Sequence, residues 1–197
     1  MKKLNKKIIS PIDPSFRKKI WEMFELMDQS ISLLYEAATH DEKTGIYNIK
    51  FFNDVIEMEI EKAKRGQEKL SLIILDIDFF KKINDKYGHL KADDILKKFA
   101  NAIRDETRKS DIFARFGGEE FVLLLPETSL IKAKQFVKRL IKKVHNDKFL
   151  KKYKITFSAG ITEFKKGDSK RKLMEGADKA LYKAKKSGRD KFCFACR

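Results

Sequence analysis

Three groups of residues combine the types and spacing that chemistry needs. Asp76-Ile77-Asp78 closes the strongly apolar run Leu72-Ile73-Ile74-Leu75. A carboxylate at the C-terminal end of such a strand projects into a crevice and can hold a hard divalent cation. Asp78 can equally cap the helix that follows. The second group is Gly117-Gly118-Glu119-Glu120-Phe121. Its glycines let the backbone turn tightly and a bulky ligand approach, with adjacent carboxylates at the tip. Asp76 with Glu119 would make a two-carboxylate magnesium site for a triphosphate, as in metal-assisted phosphoryl transfer. Acidic residues after a Gly-Gly turn are otherwise ordinary surface residues. Lys185 and Arg189 form the third group, where a helix gives out at Ser187-Gly188. Such a pair can clasp phosphates, Arg through a bidentate fork, or simply place favourable charge at a helix C-terminus.

The elements that must position these groups follow from the hydrophobic period. Helical spacing predicts a helix from a Ser15 cap to about Ala38, then helices over Ile49–Lys64, Phe80–Tyr87, Ala92–Arg108, Ser129–Asn146 and Lys170–Ser187. Apolar runs predict strands at Leu70–Asp76, Asp111–Phe116, Glu120–Leu125, Ile155–Ile161 and around Phe192. Gly117-Gly118 between two such runs marks a hairpin. From Leu70 the order is β-α-α-β-β-α-β-α-β, an α+β fold with one antiparallel-containing sheet flanked by helices and preceded by an N-terminal helix. In that first helix Ile20, Phe24, Met27, Ile31, Leu34 and Ala38 are spaced as a heptad seam. The seam suits a short coiled coil, while Trp21, Met23 and Leu33 broaden it toward a helix packed on its own domain. The domains expected are a basic tail (1–15), this helix (16–40) and a catalytic domain (41–197).

The chain has 197 residues, with 45 Lys or Arg against 29 Asp or Glu, a formal charge of +16. Hydrophobic residues make up 42%, enough for one sizeable core and too many for a disordered chain. The positive excess predicts an anionic partner: a nucleotide, nucleic acid or a membrane surface. Nucleic-acid binding rests on charge alone and ranks last. No stretch reaches the length of a membrane helix, and Ile8-Ile9 is too short for a signal-peptide core, so a cytoplasmic location is expected. Cys193 and Cys196 lack a second Cys or His pair and read as two thiols on a frayed end.

These motifs, taken in order, resemble the GGDEF domain of diguanylate cyclases, here in a GGEEF form. The resemblance rests on Asp41-x-x-Thr44-Gly45-x-x-Asn48, on Asp76-Ile77-Asp78-x-Phe80-Lys81-x-Ile83-Asn84-Asp85 and on Gly88-His89. Gly117 to Phe121 and Ala177-Asp178-x-Ala180-Leu181-Tyr182-x-Ala184-Lys185 complete it. The resemblance implies a fold like nucleotidyl cyclases and polymerase palms, and condensation of two GTP into cyclic di-GMP by an antiparallel homodimer, without a membrane partner. It implies Mg²⁺, with Mn²⁺ as an alternative ion, on Asp76, the Ile77 carbonyl and Glu119, and a catalytic role for Glu119 and Glu120. Which glutamate, or whether a water, takes the hydroxyl proton stays open. Asn84 and Asp93 match guanine contacts. Phe79, Phe80, Lys81, Lys185 and Arg189 match triphosphate contacts. Arg108-x-x-Asp111, shortly before Gly117, matches an inhibitory product site, although a surface ion pair is the ordinary meaning of that tetrapeptide.

Some positions depart from the family pattern. Lys43 stands where Leu is common, Ile49 where Arg is, Ala92 where Gly is, and Asp190 where Asn is. Lys43 puts local packing of the first motif in question, and Asp190 adds negative charge near the phosphates. Two rival functions follow from the same residues: a receptor that binds cyclic di-GMP at Arg108 and Asp111 without turnover, and a cyclase making cyclic GMP-AMP. Intact Asp76, Glu119, Glu120, Lys185 and Arg189 argue against the first, and Asp93 against the second.

Overall fold

The structure, a computed structural model, describes residues 13–66 and 69–195. Most of the expected basic tail, and Cys196, lie outside them. Helix α1 (Pro14–Thr39) begins at Asp13 and not at the expected Ser15 cap. The Asp13 carboxylate accepts from the Ser15 and Phe16 amides at 2.9 and 3.1 Å and from the Ser15 hydroxyl. Pro14 takes the first helical position, where no N–H is needed, which moves the cap one residue ahead of it. None of the 26 residues of α1 is buried. Phe24, Met27, Ile31 and Leu34 are all exposed, as are Met23, Leu26 and Leu33. The chain divides between Ala38 and Thr39 into two compact units.

The second unit runs α2 (Ile49–Gly66), β1 (Leu70–Ile77), α3 (Phe80–Tyr87), α4 (His89–Arg104), β2 (Ile112–Gly117) and β3 (Glu120–Pro126). It continues through α5 (Leu130–Asn146), α6 (Lys148–Lys152), β4 (Phe157–Glu163), α7 (Lys170–Lys186) and β5 (Phe192–Phe194). The strands form one mixed sheet in the order β2-β3-β1-β4-β5, antiparallel except where β5 joins β4 in parallel. All eight residues of β1 are buried, because helices cover both sheet faces. Ile73, Leu75 and Ile77 pack into one core with α4 and α5, and Leu70, Leu72 and Ile74 into the other with α2 and α7. Each large side chain buried this way contributes about 1.5–3 kcal/mol. Because the side-chain period is two, a one-residue slip of β1 would exchange the cores, so the register is firmly held.

Local boundaries differ from expectation where polar side chains intervene. Helix α4 stops at Arg104, four residues early, where the Thr107 hydroxyl donates to the Arg104 carbonyl at 2.7 Å. Helix α6 was not anticipated. Asp147 caps it, accepting from the Phe149 and Leu150 amides at 2.9 and 3.0 Å. Strand β4 starts at Phe157, two residues later than the apolar run suggests. Cys193 is no frayed thiol, since it pairs with Gly160 within the sheet. Among the described residues no helix is long and apolar enough to cross a membrane.

Candidate active site

Strand parity assembles the acidic end of the sheet. Asp76 shares the parity of Leu72 and Ile74, so it faces the α7 side, and the register sets it opposite Glu120 of β3. The Ile77 amide donates to the Glu119 carbonyl at 3.2 Å, fastening the glutamate turn to the strand end. Asp76 is buried and meets Lys185 Nζ of α7 at 2.6 Å. Burial pushes the Asp76 carboxyl above the ordinary aspartate range; Lys185 opposes this and the Glu119 and Glu120 charges add to it. Lys185 gets this close because Gly160 of β4 lets α7 lie directly on the sheet. A Cβ there would stand 2.0 Å from the Ala177 carbonyl oxygen and 2.3 Å from the Leu181 amide nitrogen. A cleft of about 480 Å³ opens between Glu120 and α7, lined by Asp178, Tyr182 and Lys185.

Asp76 and Glu119, with the Ile77 carbonyl, offer hard oxygen donors that fit a small divalent ion. Among the described residues no group of three or more His, Cys, Asp or Glu forms a cage. Magnesium is ordinarily held by one or two carboxylates, with water and substrate phosphates completing its shell.

Arg115 braces the glutamate turn. Its guanidinium donates to the Gly118 carbonyl at 2.7 and 3.1 Å, and to both oxygens of Asp41 at 3.1 and 3.2 Å. The hairpin register shifts between Arg115 and Gly117, and Gly118 takes a left-handed φ of 50°. Asp41 also accepts from the Thr44 amide and hydroxyl at 2.9 and 2.6 Å. Burial works against the Asp41 charge, but the Thr44 and Arg115 hydrogen bonds outweigh it and hold the carboxyl below the ordinary range. The first motif is therefore a buttress of the hairpin.

Asp78 does not cap the helix that follows. It is buried and accepts from the Thr156 and Ser158 hydroxyls at 2.8 and 2.7 Å and from the Asp190 amide at 3.0 Å. This anchors the segment after α7 beside the start of α3. Phe79 (φ 56°), Arg189 (61°) and Asp190 (49°) all adopt left-handed backbone here, a strain non-glycine residues hold only where surroundings impose it. The Arg189 guanidinium lies 4.3 Å from the centre of the Phe79 ring, beside the first amides of α3, which have no partners within the helix. Lys81 is exposed on the same first turn. The Asp190 carboxylate meets His145 Nε2 at 2.8 Å, so its charge has a partner of its own.

Two further expected groups sit on α3 and α4 and on the segment before β2. Asn84 of α3 has a buried side-chain oxygen without a hydrogen-bond partner, and Asp93 of α4 is held by Lys43. Ala92 is buried in the core. Arg108 and Asp111 precede β2, at the end opposite Gly117. There the Arg108 backbone amide, not its guanidinium, donates to Asp111 at 2.8 Å, so the surface ion pair is not formed. Burial raises the Asp111 carboxyl, with the Arg108 amide and charge acting against it. A cleft of about 420 Å³ adjoins them, lined also by His40, Tyr47, Arg104 and Lys109.

Sequence reasoning missed Arg115 and Gly160. Arg115 carries no signal as a lone arginine in a strand. Gly160 does, because a glycine inside an apolar strand marks a close backbone approach.

The family model described as "Diguanylate cyclase, GGDEF domain" matches residues 38–191. Diguanylate cyclase DgcP of Pseudomonas aeruginosa is 43% identical over 159 residues, 79% of this chain and 24% of its own length. The chain therefore spans about a quarter of that curated relative. The coiled coil and GGDEF domain of DgcB from Caulobacter crescentus, in complex with c-di-GMP, superposes with TM-score 0.80 at 26% identity, covering 92% of this chain and 98% of that one. The active GGEEF domain of a diguanylate cyclase from Vibrio cholerae gives TM-score 0.67 at 32% identity, covering 71% and 91%.

Proposed function

The chain belongs to the GGDEF domain family of diguanylate cyclases, and we propose that it condenses two GTP into cyclic di-GMP with release of two pyrophosphates. The observation that carries the proposal is Asp76 at its strand end, opposite Glu120, below the Glu119 turn and against Lys185. In this reading Asp76, Glu119 and the Ile77 carbonyl hold Mg²⁺, which when bound neutralises triphosphate charge and favours displacement at the α-phosphate. Lys185, Arg189, Lys81 and the amides of Phe79 and Phe80 bind the phosphates. Asn84 and Asp93 take the guanine, which offers N1–H and N2–H₂ donors where adenine has an acceptor at N1. The unpartnered Asn84 oxygen supports that assignment. Glu119 or Glu120, or a water beside them, accepts the 3′-hydroxyl proton.

One chain supplies one GTP, so ring closure takes two copies facing each other antiparallel. The apolar seam of α1, exposed from Phe24 to Leu34, is the segment that would hold them together, and the coiled coil named with the DgcB domain supports this assignment. Arg108 and Asp111 form the product site: the guanidinium is not spent on Asp111 and borders the cleft beside α4, where it would grip phosphate.

The test is incubation with GTP and Mg²⁺, chromatography of the products, and rate measured against enzyme concentration for the whole chain and for residues 41–197. Cyclic di-GMP should form at a rate steeper than linear at dilute enzyme, and more so without the helix. Absence of the cyclic product overturns the activity. Identical concentration dependence of the two proteins overturns the role of α1.

A further inference from the structure

Lys43 departs from the family pattern at a place where the departure has consequences. Its Nζ lies 2.7 Å from Asp93 Oδ1 and 2.8 Å from Oδ2, so one ammonium spans both carboxylate oxygens. The contact joins parts of the chain 50 residues apart. Lys43 projects from the turn that Thr44 and Arg115 fasten through Asp41, and Asp93 sits in the first turns of α4. The backbone that carries Lys43 is thus braced, and only side-chain torsions need ordering to form the pair. A neutral side chain at this position could not make it.

Guanine would approach the same acceptors. Its N1–H and N2–H₂ engage a carboxylate fully only when both oxygens are open. We propose that Lys43 is an internal competitor for the guanine subsite: it holds Asp93 in a closed pair that the base must displace, and so raises the GTP concentration at which the site fills. The proposal rests on Asp93 being the guanine contact. Both side chains are partly exposed, at 53% and 37%, so the pair lies in the modest range of surface ion pairs. Its removal should tighten guanine nucleotide binding by about 1.5- to 5-fold.

The experiment is calorimetric titration of the full chain with the non-hydrolysable α,β-methylene analogues of GTP and ATP. Parent, Lys43→Met and Lys43→Arg are compared at low salt and at about 1 M salt, where exposed charges are screened within a few ångströms. Lys43→Met should bind the GTP analogue more tightly by the stated factor at low salt, with the advantage closing at high salt. Lys43→Arg, which keeps a cation on Asp93, should stay at or above the parent dissociation constant. The ATP analogue should not gain from Lys43→Met, and in an Asp93→Asn background the substitution should have no effect. Equal or weaker GTP-analogue binding by Lys43→Met overturns the proposal. Weaker binding together with a smaller preference for guanine would instead assign Lys43 to the guanine O6 oxygen as a direct contact. Measurable binding by the parent tests the cyclase reading, whereas the ratio of variant to parent tests the competitor, so the two fail separately.

Discussion

Arg115→Met should loosen the glutamate turn and cost stability together. The Arg115 side chain is only 10% exposed, and its guanidinium makes four hydrogen-bonding contacts, two on Asp41 and two on the Gly118 carbonyl. Removing one partner of a buried pair costs about 3–5 kcal/mol. Asp41 is 23% exposed and keeps both Thr44 hydrogen bonds, so the loss falls lower, about 2–3 kcal/mol. For a unit of this size that is a drop of about 4–12 °C in Tm. The pH dependence has a definite sign. Asp41 is held below its ordinary value, so the stability it gains is present above pH ~3.8 and is lost as pH falls through the folded value. The deficit of Arg115→Met should therefore be full at neutral pH and shrink on acidification below that point. Urea unfolding from pH 7 to 3, paired with initial cyclase rates at pH 7, reads both effects. Arg115→Lys, able to keep one partner but not the fork, should lie between. An unchanged urea midpoint, or a stability loss that persists undiminished in acid with a parental rate, would refute the buttress.

Asp76→Asn and Glu119→Gln should each lower turnover by about 100-fold or more in a folded protein, measured by product formation and circular dichroism. Because burial raises the Asp76 carboxyl, the stability linked to it is full below pH ~3.8 and declines as pH rises through the folded value. Asp76→Asn should therefore match or exceed the parent's Tm at pH 7, and a clear loss of Tm there would contradict the linkage. Gly160→Ala places a methyl into α7 backbone and should cost about 2–4 kcal/mol in urea unfolding while lowering activity through Lys185. Parental stability would mean that the strand–helix contact yields easily. Arg108→Ala should raise the inhibition constant of added cyclic di-GMP by about 10- to 100-fold, and equal inhibition would remove Arg108 from the product site.

The sheet and its carboxylates were legible because period-two patterning and residue type coincide. Asp76 and Glu120 continue the same strand parity as their apolar neighbours, and Gly117-Gly118 announces the turn between them. What escaped depends on partners far away in the chain. Arg115 becomes a brace only because Asp41, 74 residues earlier, lies beside the hairpin. Asp78 reads as a helix cap until Thr156, Ser158 and Asp190 arrive around it. Helix α6 is too short for its period to show, and only Asp147 signals it. Lys43 reads as a packing defect on a sequence. Its meaning lies in Asp93, which no local pattern connects to it.

The same long-range pairing gives the site a common electrostatic logic. Asp76 carries Lys185 and Asp93 carries Lys43, so two of the carboxylates assigned to metal and base already bear a cation from elsewhere in the chain. Asp76 thus avoids the full cost of standing charged and unpaired near a low-dielectric core, whereas the exposed Asp93 gains only the modest worth of a surface pair. Binding then becomes an exchange of partners. A divalent ion on Asp76 would release Lys185 toward the incoming phosphates, and guanine on Asp93 would release Lys43 to water. The two exchanges differ in consequence. Lys185, tied to the sheet through Gly160 and only 30% exposed, would be released into the site proposed for the phosphates. Lys43, more than half exposed, would be released away from it, so that only its displacement would oppose binding.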